Sequence, residues 1–292
     1  MSTTPSLPPP SDALSAVRIA AALARPEVTF TIGTLVNDPV QYDAMRATFE
    51  AGGFTTDGCE YLFVDNTGAR QTCAYRGLNA ILALARGRYV VLCHQDVRLD
   101  RDDRAMLERR LASLTRQDPA WAVAGNAGGV AAGQLALRIS DPHGTDRKVG
   151  MLPARVMSLD ENFLVVRREA RVGFSNDLTG FHFYGADICL AADMLGYSAY
   201  VIDFHLQHLS AGKIDASFGL AEDAFRRKWS RALRPRWMQT TCSLLHLSGS
   251  FMGRMMGPLA EAPMAKLSRR LPKASGWRRD ETLQIPRLGH PG

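Results

Sequence analysis

The first hundred residues alternate between apolar runs and segments with helical character. Residues 28–36, 60–66 and 88–97 are rich in β-branched, aromatic and aliphatic side chains, which is typical of buried strands. Residues 42–52 and 69–85 lie between these runs and are predicted to be helices. Strands of continuous apolar character joined by helices of this length indicate parallel β-α-β units with both sheet faces covered. We therefore predict that this part of the chain forms half of an open α/β sheet.

The same pattern continues, less regularly, to about residue 229. We predict helices over 102–116 and 185–197, strands over 121–124, 162–168 and 198–204, and a last helix that reaches residue 229. Residues 134–155 have no periodicity that assigns them to an element. We therefore divide the chain into three parts. Residues 1–25 contain a disordered proline-rich start and a short helix, residues 26–229 form an α/β domain, and residues 230–292 form an extension.

Basic residues are concentrated near the C-terminal end. Residues 225–292 contain 14 of the 35 Lys and Arg but 3 of the 29 Asp and Glu, which leaves 21 basic and 26 acidic residues in the first 224. Two interpretations of this basic extension stay open: peripheral contact with an anionic membrane, or a helical extension that packs on the domain. No nucleic-acid motif accompanies the charge, so a nucleic acid is not expected as a partner.

Cysteine usage and hydropathy favour a cytoplasmic location. The five cysteines are scattered without a C-x-x-C pair, the N-terminal sequence lacks the features of a secretory signal, and no run reaches 18 apolar residues. We expect a cytoplasmic protein whose basic extension is able to lie at the inner face of the membrane.

Polar residues follow three of the predicted strands. These groups are Asn37-Asp38, Asp65-Asn66 and His94-Gln95-Asp96. Ligands of open α/β sheets bind outside the carboxyl ends of the strands, so three such groups in succession indicate a site. Each group by itself is also typical of a helix N-cap or a turn.

Several common chemistries are excluded by the sequence around the first strand. A dinucleotide fold needs G-x-G-x-x-G there, whereas the chain has Leu35-Val36-Asn37-Asp38-Pro39. Neither a P-loop nor a G-x-S-x-G nucleophile elbow is present. Dinucleotide, P-loop and esterase-type chemistry are therefore not expected.

Three longer motifs together resemble a known family. These are YLFVDNT, GLNAILALARGRYVVLCHQDVRL and FHFYGADICLAADMLGYSAYVIDFHLQHLSAGK, within residues 29–229. They resemble GT-A-fold glycosyltransferases of the family-2-like branch, with H-Q-D in place of the usual D-x-D. The resemblance implies a single GT-A-like α/β domain with a Rossmann-like mixed central sheet flanked by helices. It also implies an enzyme that transfers a sugar from a nucleotide-diphosphate donor to a hydroxyl, with inversion and with Mn²⁺ or Mg²⁺.

The resemblance assigns candidate residues to four roles. Nucleotide-sugar binding is implied for Thr34, Val36, Asn37, Asp38, Asp65, Asn66, Asn79, His94 and Gln95. Metal binding is implied for Asp96 and His208, and His94 departs from the family by replacing an acid. Asp187 matches the catalytic base that takes the proton of the attacking hydroxyl, although an acid there also complements a helix N-terminus. Asp160, Glu161, His182 and Tyr184 are placed on the acceptor side.

Two other function classes stay open. One is a non-catalytic module of the same fold that binds a nucleotide sugar or a glycan. The other is a metal-dependent hydrolase using His94, Asp96, His205 and His208, although these residues lack an H-E-x-x-H spacing. For the glycosyltransferase, a glycan, a lipid-linked sugar or another hydroxyl compound is expected as the acceptor, by analogy with polysaccharide biosynthesis.

Overall fold

A computed structural model describes residues 28–210, 212, 216–239 and 244–268. The predicted N-terminal segment 1–25 and the basic residues beyond 268 lie outside this part of the chain.

Helices and strands alternate regularly over the first hundred residues. They are β1 (Phe30–Val36), α1 (Pro39–Ala51), β2 (Cys59–Asp65), α2 (Ala74–Leu84), β3 (Tyr89–Cys93) and β4 (Val97–Arg98). Asp38 caps α1, because its Oδ1 accepts the backbone N–H groups of Val40 and Gln41. Pro39 then occupies the first helical position, where its missing N–H costs nothing.

The middle of the chain is mostly strands. After α3 (Arg104–Gln117) come β5 (Trp121–Gly125), β6 (Ala127–Ala131), β7 (Gln134–Asp141), β8 (Gly144–Val149), β9 (Ala154–Val156), β10 (Ser158–Leu159) and β11 (Phe163–Arg167). A short 3₁₀ turn, Arg168–Ala170, follows β11.

Helices dominate the last third. The elements are α4 (Tyr184–Met194), β12 (Ser198–Val201), β13 (Leu206–His208), α5 (Ala216–Ala232), β14 (Arg236–Gln239), β15 (Leu244–Leu247) and α6 (Phe251–Ser268). The predicted domain boundary at residue 229 lies inside α5.

The central sheet has seven strands in the order β2-β1-β3-β11-β5-β12-β9. As the apolar runs predict, β1 pairs in parallel with both β2 and β3. The sheet is mixed because β11 runs antiparallel to β3 and β5. A second sheet has the order β10-β6-β7-β13-β4, with β8 paired to β7, and β14 and β15 form a separate hairpin.

Both faces of the central sheet are buried. One face packs Ile32 and Trp121 against Met45 of α1 and Leu107 of α3, while the other packs Val90 against the α2 side. Burial on both faces explains why the strand sequences are apolar throughout rather than alternating. The predicted fold class, an α/β domain with a mixed central sheet flanked by helices, is confirmed. None of the helices in the described part of the chain is long and apolar enough to cross a membrane.

Candidate functional site

A cavity of about 260 Å³ lies at the carboxyl ends of β1 and β3. Asn37 follows β1, and His94, Gln95 and Asp96 follow β3, so the parallel pairing of these strands brings their polar ends together. The polar side chains on its wall include Asn37, Asn66, His94, Asp96, Glu161 and Tyr184. The strand ends therefore form a site where open α/β sheets usually bind their ligands.

Three potential metal ligands meet at this edge of the cavity: His94 and Asp96 line it, and His208 contacts both of them. His208 Nε2 lies 3.4 Å from Asp96 Oδ1, and His94 Nδ1 lies 3.9 Å from the same oxygen. The two ring nitrogens are 3.4 Å apart. The antiparallel pairing of β13 with β4 sets this geometry, because it places His208 opposite Val97, next to Asp96. The three ligand atoms lie within 4.8 Å of one another, which is close enough to contact one ion.

Tyr184 holds the ring of His94 in a suitable orientation. The Tyr184 hydroxyl donates to the backbone carbonyl of Glu161 at 3.2 Å and contacts His94 Nε2 at 2.7 Å. When the hydroxyl proton goes to the Glu161 carbonyl, the hydroxyl accepts from His94 Nε2–H. In that tautomer the lone pair of His94 Nδ1 points toward Asp96 and His208, as in a metal-binding histidine whose second nitrogen is held by an outer partner.

The three groups of the cluster change one another's pKa. Burial by itself raises the pKa of Asp96, but the hydrogen bond and charge of His208 lower it to about 2. Burial and the neighbouring His208 lower the pKa of His94. His208 behaves in the opposite way, because contact with Asp96 outweighs its burial and raises its pKa. The cluster therefore combines an ionised carboxylate with one imidazole that resists protonation.

Gln95 shapes the other side of the cavity. Its Oε1 accepts the backbone N–H groups of Asn37 and Asp38, both at 3.0 Å, and its amide nitrogen donates to the side chain of Asn37. Asn66 is 3% exposed and is fixed by Thr72, whose backbone N–H donates to Asn66 Oδ1 at 2.8 Å. These amides form a rigid polar wall beside the metal-ligand cluster.

Glu161 places a carboxyl group on the cavity wall. Its Oε1 lies 3.5 Å from the backbone N–H of Gly185, in the first turn of α4. A side chain at Gly185 would collide with the carbonyl oxygen of Leu159. Glycine at this position therefore allows the first turn of α4 to lie close to the backbone of Leu159. Burial, with a smaller effect of Asp160, raises the pKa of Glu161 to about 8. Glu161 is thus a carboxyl group suited to exchange a proton near neutral pH.

Asp187 does not lie on the cavity wall. It is 0% exposed, and its carboxylate accepts from Ser175 N at 2.8 Å, Ser175 Oγ at 2.7 Å and Trp229 Nε1 at 3.0 Å. Burial raises its pKa, although the two Ser175 hydrogen bonds act in the opposite direction. The carboxylate therefore joins α4 to the Ser175 loop and to α5, and it has no open side for a substrate hydroxyl.

Several residues predicted to bind the donor do not line the cavity and have partners within the protein. Thr34 and Val36 are 0% and 2% exposed within β1. Asp38 is the N-cap of α1, and Asn79 hydrogen bonds to the backbone N–H and carbonyl of Phe174, away from the cavity. Asp65 accepts both the N–H and the hydroxyl of Thr67 in a local turn, and these bonds lower its pKa. Of the residues predicted to bind the sugar donor, Asn37, Asn66, His94 and Gln95 line the cavity.

The acceptor-side predictions divide in the same way. Glu161 and Tyr184 line the cavity. Asp160 lies beside it and caps a turn, with Oδ1 accepting from Asn162 N at 2.9 Å. His182 contacts Ser217 Oγ at 3.3 Å, on the side of α5.

The hydrolase alternative required His205 to join the cluster. Instead His205 is 0% exposed, with Nδ1 3.0 Å from Asp100 and Nε2 2.9 Å from Ser140 Oγ. The metal-ligand group found among the described residues contains His94, Asp96 and His208 without it. A four-residue hydrolase cluster is therefore not assembled.

Two further polar or aromatic residues on the cavity wall were not predicted. Gln71 donates to the backbone carbonyl of Asn66 at 3.2 Å, and Phe181 is 44% exposed at the mouth of the site. Phe181 belongs to the FHFYG motif, which was a usable signal. Gln71 lies in a polar loop that has no distinguishing pattern.

Fold and site together define an α/β protein with a candidate metal centre at the carboxyl edge of its sheet. Over 231 residues the chain is 39% identical to a protein of Fuscovulum blasticum named ATP synthase subunits region ORF 6, covering 76% of this chain and 92% of that protein. The chain belongs to the same family as this protein, whose name states no activity. No family model matches the sequence.

Solved structures with a similar arrangement have low sequence identity. A mannosyltransferase from Pyrobaculum calidifontis, in complex with GDP-Man and Mn²⁺, is 14% identical with a TM-score of 0.46, covering 68% of this chain and 62% of that chain. S. aureus TarS 1–349 in complex with UDP is 13% identical with a TM-score of 0.42, covering 63% and 61%. The chain thus spans about three fifths of the length of these two structures. Since both TM-scores are below 0.5, neither similarity carries a functional argument.

Proposed function

We propose that the protein is a glycosyltransferase that moves a sugar from a nucleoside-diphosphate sugar to an acceptor hydroxyl, with inversion and with a divalent metal. The observation that carries the proposal is the convergence of His94, Asp96 and His208, two of which line the same cavity as the carboxyl group of Glu161. The sequence resemblance to family-2-like glycosyltransferases supports the same reaction class. Chemistry of this class needs a metal-bound leaving group and a proton acceptor a short distance apart.

The ligand set suits Mn²⁺ better than Mg²⁺. Two imidazoles and one carboxylate are available, whereas Mg²⁺ prefers oxygen ligands. The hydrogen bond from His94 Nε2 to Tyr184 fits the role of His94 as a ligand through Nδ1. When bound, the ion would neutralise negative charge that develops on the leaving diphosphate.

The polar amides beside the cluster are suited to hold the donor. Asn37, Asn66 and Gln95 offer neutral donors and acceptors to a nucleotide or sugar. The cavity of about 260 Å³ is slightly smaller than the roughly 300–1,000 Å³ typical of small-molecule sites. We expect it to enclose the diphosphate and sugar, with the base lying along the open strand ends.

Glu161 takes the place of Asp187 as the proton acceptor in this proposal. A general base must reach the attacking hydroxyl within hydrogen-bond distance. Glu161 lines the cavity with His94 and Asp96, whereas the carboxylate of Asp187 accepts three hydrogen bonds from Ser175 and Trp229. In an inverting transfer the ionised form of Glu161, which predominates above its pKa of about 8, would receive the hydroxyl proton as the oxygen attacks the anomeric carbon and the diphosphate leaves.

The acceptor is predicted to be a hydroxyl of a glycan or a lipid-linked sugar, near Glu161 and Tyr184. A cytoplasmic location is a further part of the proposal. Contact with an anionic membrane does not depend on this chemistry and is a separate proposal.

A ligand panel tests the donor and metal together. Thermal unfolding is measured with UDP, GDP and dTDP sugars and a CMP sugar, each with and without Mn²⁺. We expect one donor to raise the unfolding temperature only with Mn²⁺, because a ligand that binds the folded state stabilises it. Asp96→Asn should abolish this shift, and Asp193→Asn, an exposed carboxylate on α4, should preserve it. No shift with any donor would contradict the proposal. Release of nucleoside diphosphate by the wild-type protein separates turnover from mere binding.

A further inference from the structure

Helix α6 presents an apolar surface to solvent. Five of its side chains, between 50% and 71% exposed, define what we term the outer face: Phe251, Met252, Met255, Met256 and Leu259. Their spacing of i, i+1, i+4, i+5 and i+8 places them on one side of a helix with 3.6 residues per turn. Large apolar side chains that are contiguous and exposed mark an interaction site more often than scattered ones do.

The opposite side of α6 packs on the β14–β15 hairpin. Gly257 is buried there, and a side chain at this position would collide with the ring of His246. Glu261 Oε1 accepts the backbone N–H of His246 at 2.9 Å. These contacts fix the rotation of the helix, so the outer face is directed away from its own hairpin.

The surroundings of the outer face are basic. Arg254 and Lys266 are exposed on α6, and Arg234 and Arg236 are exposed at the start of the hairpin. Glu261 is the one acidic residue between 230 and 268, and it is already hydrogen bonded to the hairpin backbone. The sequence after α6 continues with further basic residues, Arg269, Arg270 and Lys273 among them.

We propose that the outer face of α6 docks on an anionic lipid bilayer, with its apolar side chains in the headgroup region and the basic residues among the lipid phosphates. Amphipathic helices with this composition lie in the plane of the membrane interface, and each nearby Lys or Arg adds attraction to anionic lipid. A second copy of the chain fits less well, because two faces surrounded by cations repel each other. This surface lies outside the proposed transferase site and does not depend on its chemistry.

Vesicle co-sedimentation of the full chain tests the docking. The probes are vesicles of phosphatidylcholine alone and vesicles that also contain phosphatidylglycerol. The test variant is Leu259→Glu and the matched control is Leu84→Glu, since both leucines are 71% exposed and Leu84 lies on α2. We expect the wild-type chain and Leu84→Glu to bind the anionic vesicles equally. Leu259→Glu should bind at least tenfold more weakly, because burial of one leucine changes partitioning by about this factor.

Three results would overturn the proposal. The first is no binding of wild-type protein to anionic vesicles, and the second is equal binding of wild type and Leu259→Glu. The third is a wild-type dimer, seen by sedimentation without lipid, that Leu259→Glu converts to a monomer, which would make the outer face a self-association surface. Circular dichroism melting checks that each variant is folded, and Met255→Glu on the same face provides an independent repeat.

Discussion

The Asp187→Asn substitution tests whether Asp187 is a structural group or the catalytic base. Its carboxylate accepts three hydrogen bonds, two from Ser175 and one from Trp229. Each hydrogen bond to an ionised acceptor contributes about 1.5–3 kcal/mol, and part of this is offset by the burial that raises the pKa of Asp187. Asparagine retains one acceptor oxygen but turns an NH₂ group toward at least one N–H or O–H donor.

The expected loss of stability follows from that mismatch. One lost bond and one buried donor without a partner together cost about 2–4 kcal/mol. For a domain of this size, each kcal/mol lowers the unfolding temperature by about 2–4 °C, so the total decrease is roughly 4–16 °C. The assay is thermal unfolding by circular dichroism, with transfer measured at a temperature where both proteins are folded. Asp193→Asn, exposed on the same helix, should unfold like the wild type.

A particular combination of results would refute this reasoning. If Asp187→Asn unfolds at the wild-type temperature while transfer falls by the roughly 10²–10⁴-fold expected for loss of a general base, then Asp187 is the catalytic residue. The buried hydrogen bonds would then have to rearrange when the substrate binds.

Three other substitutions give distinct outcomes. Glu161→Gln should leave the unfolding temperature near that of the wild type and lower the transfer rate by about 10²–10⁴-fold in a kinetic assay; unchanged transfer would remove Glu161 from the mechanism. His208→Ala should weaken Mn²⁺ binding at least about tenfold by calorimetry, whereas wild-type affinity would show that the cluster is not the metal site. Glu60→Gln should destabilise the fold by about 1–2 kcal/mol at neutral pH, because Glu60 accepts from Thr31 Oγ1 and Arg86 N. Despite burial, these bonds lower the pKa of Glu60, so its stabilisation is present at neutral pH and is lost as the pH falls through the folded-state pKa. Urea unfolding should therefore show a difference from wild type that disappears in acid, and a constant difference would contradict the assignment.

The parts of the fold that sequence could predict are those whose burial is uniform. Strand β3 is buried at all five positions, so its apolar run is evident in the sequence. Strand β8 has no buried residue and is held by tertiary contacts, such as the Lys148–Asp203 ion pair at 3.0 Å. Asp203 also binds Arg138 of β7, and no local periodicity records such long-range charge pairing. Contacts of this kind explain why the sequence of β8, within residues 134–155, has no periodicity that predicts a strand.

The strand-end residues of the candidate site could be predicted from the sequence, whereas the choice of the proton-accepting carboxyl group could not. His94 and Asp96 follow a buried strand, and the topology of parallel sheets places such residues at the binding edge. Asp187 has the position that the family resemblance assigns to the catalytic base, in the first turn of a helix, yet Ser175 and Trp229 hydrogen bond to its oxygens. Those partners come from distant segments, so the choice between Asp187 and Glu161 required the tertiary structure.

The central claim is tested most directly by release of nucleoside diphosphate from the donor panel, measured for wild-type protein with Mn²⁺ and again after chelation. The account predicts that one nucleotide sugar yields its diphosphate, that chelation stops the release, and that His208→Ala and Asp96→Asn lower it strongly. Release that persists at the wild-type rate after chelation and in both variants, or no release from any donor, would contradict a metal-dependent transferase site at His94, Asp96 and His208.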